Sequence, residues 1–247
     1  MSNSNNFFVY GRKPVIETVI AQAKSVSKVF IKNSIAPNSY SNLTSNCNEN
    51  LIPIAIVPEK KIEKLVGIVN HQGFVAQLIT LEYGDFFNWV ETIDLTENPS
   101  VLLLDGIEDP HNFGAILRTA AAAGIAAVIV PSQYQAPLNA TVFKTSAGTA
   151  GRIPVIRVQN SVQGFKDLKL AGFKICALDS TANSSIWDAN FDRPTAFIIG
   201  NEGRGVSTKL LKMADQTLIL PMENNVESLN ASVTAALICY EWKRKNY

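Results

Sequence analysis

The chain has 247 residues, 47% of them hydrophobic and 17% charged, which allows a proper buried core and excludes a disordered chain. Lys and Arg number 22 against 21 Asp and Glu, so the net charge of +1 excludes a polybasic protein that holds nucleic acid by bulk charge. Three widely separated cysteines (Cys47, Cys176, Cys239) in no CxxC pattern, with only His71 and His111 beside them, predict neither a zinc site nor a disulfide framework, and fit a reducing compartment.

The length suits one large domain or two modest ones, and charge divides the chain. Residues 1–81 carry net +4, residues 82–100 carry five acids and no base, and residues 101–247 carry net +2. The first part reads as a small α/β unit. Residues 13–23 have helical spacing, 26–32 and 52–57 read as strands, and Pro58 opens a helix at N1 over 58–66. A third strand covers 74–81, and the Asn- and Ser-rich tract 33–50 reads as a long loop. Residues 82–100 are expected to be an acidic, solvated connector holding at most a short helix around 85–89.

Beyond residue 100, apolar runs alternate with helical patterns. The runs are 101–105, Ala127–Pro131, 153–158, 173–178, Thr195–Gly200 and 217–221. This pattern predicts a mostly parallel sheet covered on both faces, with the ligand beyond the carboxyl ends of the strands. The last helix carries a stripe of Leu229, Val233, Ala236, Leu237 and Tyr240, expected in the core. The N-terminus, Met-Ser-Asn-Ser-Asn-Asn, is polar and uncharged, and no run of about 18 apolar residues occurs. A cytoplasmic location follows as the expectation, with no membrane and no metal among the partners.

Three segments follow strand ends. In the first, Asp109-Pro-His-Asn-Phe-Gly-Ala-Ile-Leu-Arg-Thr-Ala120, Asn112 suits a helix N-cap and Gly124 a helix stop. Gly114 and Arg118 lie i, i+4, so Arg118 is expected over the bare glycine, leaving a groove beside a guanidinium. In the second, a buried strand runs into Gly200-Asn-Glu-Gly-Arg-Gly205. Its G-x-x-G-x-G spacing is neither the dinucleotide G-x-G-x-x-G nor a Walker loop, but it permits close approach of backbone to a ligand. In the third, a strand ending in Leu220-Pro-Met222 precedes Ser228-Leu-Asn-Ala-Ser232 at the start of the final helix.

In this order and spacing the segments resemble the three motifs of the SpoU (TrmH-like) branch of the SPOUT RNA methyltransferases. Tyr10-Gly-Arg12 and Asn70-His-Gln-Gly73 resemble that family's N-terminal substrate-binding domain. The resemblance covers almost the whole chain and is nearest to enzymes that methylate a guanosine ribose 2′-oxygen in 23S rRNA, with tRNA as the competing substrate. It implies an α/β fold whose C-terminal part forms a trefoil knot, preceded by a small α/β domain of residues 1–81. It implies a homodimer joined through the final helix, each subunit contributing to both sites.

The implied cofactor is S-adenosylmethionine. The resemblance places Gly200, Leu220 and Leu229 against it, with Ile199, Asn201, Gly205, Met222 and Ser232 in the adjoining motifs and Thr145, Ser146 and Gly148 in a bordering loop. The implied catalytic set is Arg118, Glu202, Asn112, Ser228 and Asn230, Glu202 orienting Arg118 or a substrate group. Arg12, His71, Gln72 and Gly73 are the implied substrate-binding residues. With so small a net charge, RNA contact must be local; Lys144, Arg152, Arg157 and Lys243-Arg-Lys245 are the basic residues available in the second part.

Overall fold

The structure, a computed structural model, describes residues 7–78 and 82–247. Residues 79–81, the end of an expected strand, and the polar start 1–6 lie outside them. The chain divides into two compact units, residues 1–81 and 82–247.

In the first unit the elements run β1 (Phe8–Tyr10), α1 (Arg12–Gln22), β2 (Val26–Lys32), α2 (Ser41–Glu49), β3 (Ile54–Val57), α3 (Glu59–Val66) and β4 (Phe74–Leu78). They build a four-stranded sheet of order β1-β4-β2-β3, in which only β2 and β3 are parallel. Strand alternation sends Phe30 and Val75 toward Ile62 of α3, while Val29, Ile31 and Ala76 are buried on the other face, where α1 packs. The tract 33–50, expected to be a loop, is instead a 3₁₀ turn (Pro37–Tyr40) leading into α2. Its Asn and Ser residues favour turns, but Tyr40, Leu43 and Cys47 recur at helical spacing and are buried, and that packing overrides propensity. Pro58 stands one residue before its expected position, as the N-cap of α3.

The second unit contains α4 (Phe86–Val90), β5 (Ser100–Asp105), α5 (Pro110–Ala123), β6 (Ala127–Pro131), α6 (Ala140–Thr145), β7 (Val155–Val158), α7 (Ser161–Leu170), β8 (Lys174–Leu178), β9 (Thr195–Gly200), α8 (Thr208–Met213), β10 (Gln216–Leu218) and α9 (Ala231–Asn246). All six strands pair in parallel in the order β10-β8-β9-β5-β6-β7. The chain runs outward from β5 through β6 to β7 and then crosses to β8 on the other side of β5, so a crevice is expected where the direction changes, at the carboxyl ends of β5 and β9. Val101, Leu103, Ile129, Ala196 and Ile198 face one layer with Phe165, Leu168 and Leu210 of α7 and α8. The alternate residues Leu102, Leu104, Phe197 and Ile199 are equally buried, on the face covered by α5 and α9.

Residues 82–100, read above as a solvated connector, are packed onto this second unit. The Gly84 N–H donates to the Val155 carbonyl (2.8 Å), and the Arg157 N–H donates to that of Gly84 (3.2 Å). Phe86 and Trp89 enter the α7 core, Trp89 stacked on Phe173 at 6.3 Å. The acids occupy outward positions, and two of them, Asp85 and Asp94, cap short helical turns. Net charge thus described the surface of this segment and missed its apolar inner face.

The α9 stripe is also corrected. Its buried residues are Ala231, Ala235, Ile238, Cys239, Glu241 and Trp242, which face α5 and β9. Val233 and Tyr240 are 46% and 51% exposed, and Leu229 is at the surface. Both stripes have helical period, so periodicity alone could not choose between them. Buried Glu241 accepts from Arg244 at 2.8 Å and from Lys245 at 3.4 Å, and the Arg244 hydrogen bond holds its carboxyl below the usual range. Lys245 also donates to the Trp187 and Ala189 carbonyls, and Arg157 stacks on the Tyr83 ring at 4.2 Å. With Lys243 donating to the Ala122 carbonyl at 3.5 Å, four of the basic residues expected to serve RNA are already engaged within the fold.

Two expectations follow. A fragment of residues 82–247 should unfold cooperatively, whereas one starting at 98 loses Phe86 and Trp89 and should be less stable by at least about 3–5 kcal/mol, the cost of one large aromatic truncation. Urea titration of both fragments reads this directly. Burial pushes the thiols of Cys176 and Cys239 up to about 11 and about 12 and also raises Cys47. Thiols raised above their unfolded values stabilise the fold fully below pH about 8.5 and lose that contribution as pH rises toward the folded values. All three should resist a thiol reagent at pH 8 in the native protein and react on unfolding, with stability declining above pH about 9.

Candidate active site at the carboxyl edge of the second sheet

The segment after β9 folds back on itself. The Asn201 N–H donates to the Gly205 carbonyl (3.1 Å), and the Gly205 N–H returns to that of Asn201 (2.9 Å). A Cβ on Gly200 would lie 2.1 Å from the Gly205 carbonyl carbon and from the Val206 nitrogen. Glycine is thus required at position 200 by the loop's own backbone. Gly205, at φ +66°, closes the turn. Asn201 fixes the loop to the sheet edge: its Nδ2 donates to the Gly106 carbonyl (2.7 Å), and its Oδ1 accepts from the N–H groups of Gly203 (2.9 Å) and Arg204 (3.3 Å).

This closure projects Glu202 outward, toward the start of α5. Asn112 Nδ2 donates to Glu202 Oε1 at 2.7 Å, and Asn230 Nδ2 donates to Asn112 Oδ1 at 2.9 Å. Asn230 is in turn the N-cap of α9, its Oδ1 accepting from the Ser232 N–H (2.8 Å) and hydroxyl (2.6 Å). One amide therefore joins the three segments singled out in the sequence. Asn112 can do this because it is not the cap of α5, as expected. That role belongs to Asp109, whose Oδ1 accepts from the His111 N–H (2.8 Å), with Pro110 at the first helical position. Asp before Pro at a helix start was the signal that could have identified it.

Arg118 does not lie over Gly114. A Cβ on Gly114 would fall 1.8 Å from Thr145 Oγ1 and 2.9 Å from the Val142 carbonyl, so α6 occupies the bare face. Thr145 also donates to the Thr141 carbonyl (2.9 Å). Ser146 is fully buried, donating to the Phe143 carbonyl and accepting from the Ala150 N–H, and Gly148 takes φ +77° at the following turn. Arg118 is exposed and makes no hydrogen bond or ion pair among the described residues; Glu202 is bonded to Asn112 rather than to it.

At the ends of β9 and β10, Ile199 and Leu220 are buried, Met222 is half-buried and Leu229 is 36% exposed. The backbone N–H groups of Leu220 and Met222 have no partner among the described residues, and Ser228 lies exposed before α9, also without one. Glu108, Tyr134 and Arg204, not singled out by sequence, surround Gly106, where the Arg204 guanidinium lies 5.9 Å from the Tyr134 ring centre.

In the first unit Arg12, His71, Gln72 and Gly73 do form one cluster. The Arg12 N–H donates to Gln72 Oε1 (3.0 Å), and the Gly73 N–H donates to His71 Nδ1 (2.9 Å), which leaves the proton of a neutral imidazole on Nε2. Gly73 has φ +78°, and a Cβ there would lie 2.4 Å from Ile35. Lys32 and Glu59 border the same cleft at 2.7 Å from each other; the hydrogen bond from Lys32 holds the Glu59 carboxyl below its usual range.

Comparison with known proteins places both units. Residues 99–240 match the SpoU rRNA Methylase family, and residues 8–84 match the RNA 2'-O ribose methyltransferase substrate binding family. A Staphylococcus haemolyticus protein described as "Putative TrmH family tRNA/rRNA methyltransferase" is 35% identical over 240 residues, covering 97% of this chain and 96% of its own. The AdoMet-bound rRNA methyltransferase of Sinorhizobium meliloti is similar in fold, with TM-score 0.70 and 21% identity over 97% of this chain and 87% of its own. The A. aeolicus TrmH/SpoU tRNA modifying enzyme reaches TM-score 0.55 at 28% identity, covering 65% of this chain and 81% of its own.

The loop geometry separates its glycines. Gly200→Ala should lower the melting temperature by several degrees, because even a methyl meets loop backbone at 2.1 Å. Gly203→Ala should stay within about 0.5 kcal/mol of the parent, since its nearest neighbour is Asn201 Oδ1 at 3.5 Å. Thermal unfolding of the two variants side by side checks the assignment.

Proposed function

The chain belongs to the SpoU (TrmH) family of RNA methyltransferases, and from that membership we propose that it transfers a methyl group from S-adenosylmethionine to the 2′-hydroxyl of a guanosine ribose in 23S rRNA. The observation that carries this reading is the single hydrogen-bonded chain Glu202–Asn112–Asn230, which gathers all three motifs at the crevice between β5 and β9.

The residues present fit the methyl donor. The unpartnered N–H groups of Leu220 and Met222 are donors for an adenine edge, and Ile199, Leu220 and Leu229 supply apolar walls beside Gly200. Ser232, bonded to Asn230, and the loop of Asn201 and Gly205 border the same space. Thr145, Ser146 and Gly148 support the site from beneath by packing α6 against Gly114. When bound, S-adenosylmethionine supplies an electrophilic sulfonium methyl group. The AdoMet complex of the S. meliloti enzyme supports the same choice.

The chain's own task is to position a ribose and stabilise charge at its 2′-oxygen. Positioning alone can contribute about 7–11 kcal/mol to such a displacement. A guanidinium stays protonated at neutral pH, so Arg118 acts as a fixed cation that stabilises the forming alkoxide and clamps an adjacent phosphate. Its lack of a hydrogen bond or ion pair among the described residues suits this role. Glu202 keeps one carboxylate oxygen for the substrate while Asn112 holds the other. Asn230 and Ser228 orient the segment that closes over the ribose.

A second copy of the chain completes the site in this reading. The exposed apolar residues Val233 and Tyr240 on α9, with Leu229 just before it, give it a surface, and Arg118 is exposed. Threading of the C-terminal segments into a trefoil knot belongs to the same proposal; β9 lying between β5 and β8, with α9 returning onto α5, supports it. The first unit is read as the RNA-binding module, with Arg12, His71, Gln72 and Gly73 at its contact surface. Ribosomal RNA is favoured over tRNA because the S. meliloti rRNA enzyme matches 97% of this chain, while the A. aeolicus tRNA enzyme covers 65%.

Methyl transfer from labelled S-adenosylmethionine to separated rRNA and tRNA, with mapping of the modified nucleotide, tests the substrate. Arg118→Ala should abolish transfer while leaving cofactor affinity within a few-fold of the parent. Calorimetric titration paired with single-turnover kinetics distinguishes the two; retained turnover removes Arg118 from the reaction.

A further inference from the structure

A second cleft opens on the opposite side of the glycine loop, between the start of α7 and the end of β5. We propose that it holds a backbone phosphate of the RNA, next to the nucleotide being methylated, so that the substrate crosses the carboxyl edge of the sheet from one face to the other. The proposal rests on the RNA methyltransferase reading above.

Four observations carry it. First, Asn160 caps α7 through Oδ1, which accepts from the Gln163 N–H at 2.9 Å. The N–H groups of Ser161 and Val162 have no partner among the described residues, and a ten-residue helix aims them at the cleft with the positive end of its dipole. Second, Ser161 is only 8% exposed, yet its hydroxyl has no hydrogen-bond partner among the described residues. The side chain lines the cleft, where its hydroxyl is available to donate to a phosphate oxygen. Third, Lys166 on α7 and Lys209 on α8 border the same space, both exposed and neither hydrogen-bonded nor ion-paired among the described residues. They differ in this from Arg244 and Lys245, which are held by Glu241.

The fourth observation is continuity with the active site. Asp105, the last residue of β5, pairs in register with Gly200. Its Oδ2 accepts from the Ser207 N–H at 2.9 Å, just beyond the glycine loop. The loop thus has the Glu202–Asn112 network on one side and this cleft on the other. One carboxylate acid in the cleft argues against a simple anion trap. A phosphodiester fits better, because the neighbouring ribose hydroxyl can donate to the free Asp105 oxygen while the phosphate lies at the helix start. A polynucleotide presents both groups at adjacent positions along its backbone.

The test uses the full chain with protein-free ribosomal RNA as probe, titrated across a salt series. Lys166→Gln combined with Lys209→Gln should lower RNA affinity at least tenfold at about 0.1 M salt and reduce the slope of log affinity against log salt by about 1.4–1.8, two phosphate contacts' worth. Ser161→Asp is the second variant. The added carboxylate repels a phosphate at the helix start, so RNA affinity should fall, and thermal unfolding checks that the variant is folded. Cofactor affinity is measured on each variant as a check that the other face of the loop is intact. Titrating inorganic phosphate against amide NMR signals separates the possible sources of the anion. Shifts at Ser161 and Val162 together with weakened RNA binding in both variants support the proposal. The same shifts with unchanged RNA affinity and salt slope overturn the RNA assignment and leave a free-phosphate site. Unchanged RNA binding in variants of an enzyme that still methylates rRNA overturns this site alone. A parent protein that methylates no RNA overturns the functional reading instead, and the RNA titrations report on the cleft in either case.

Discussion

The side-chain amide of Asn112 donates on one side and accepts on the other, and the proposed chemistry depends on both bonds being made at once. Glu202 lies 90 residues downstream and Asn230 118 residues downstream, on different elements. They can meet only because β9 sits beside β5 in the sheet and α9 packs over α5. Neither an aspartate nor a leucine could replace the amide here. A carboxylate would face Glu202 with like charge, and an apolar side chain would leave Glu202 and the Asn230 amide without their partner.

What holds that amide in place is mostly backbone. The loop from Gly200 to Gly205 closes through two main-chain hydrogen bonds, and Asn201 and Ser207 tie it to the end of β5. Because its backbone lies against Gly200, the loop has little freedom to relax, and Glu202 is presented on a rigid turn. A rigid support suits a displacement whose rate depends on alignment. The same closure leaves the sheet edge with one side toward α5 and α9 and one toward α7 and α8, which the two proposals use in turn.

Electrostatics in this protein is local. Net charge is +1, and part of the basic complement is consumed internally, Arg244 and Lys245 around the buried Glu241 and Arg157 against Tyr83. Lys166 and Lys209, without a hydrogen bond or ion pair among the described residues, border the cleft at the end of β5, and Arg118 is exposed on α5. Counting charges along the chain could not separate these two groups, since a lysine beside a buried glutamate and a lysine beside a cleft look alike in sequence.

The sequence by itself determined the parallel sheet, because continuous apolar runs such as Leu102–Leu104 and Phe197–Ile199 admit burial on both faces and little else. It also singled out the segments after the strand ends, and Asn112, Glu202 and Asn230 of those segments are joined by hydrogen bonds. Tertiary structure alone decided what each of these residues touches. Thr145 fills the face of Gly114 that Arg118 was expected to cover, Asp109 rather than Asn112 caps α5, and Gly200 is required by its own loop. It also decided which of two equally periodic stripes on α9 is buried, and that Phe86 and Trp89 draw an acidic segment into the core. The reason is physical: strand and helix patterns are set by neighbours a few residues apart, whereas these contacts join residues about 30 to 120 positions apart, whose proximity exists only once the sheet has ordered its strands.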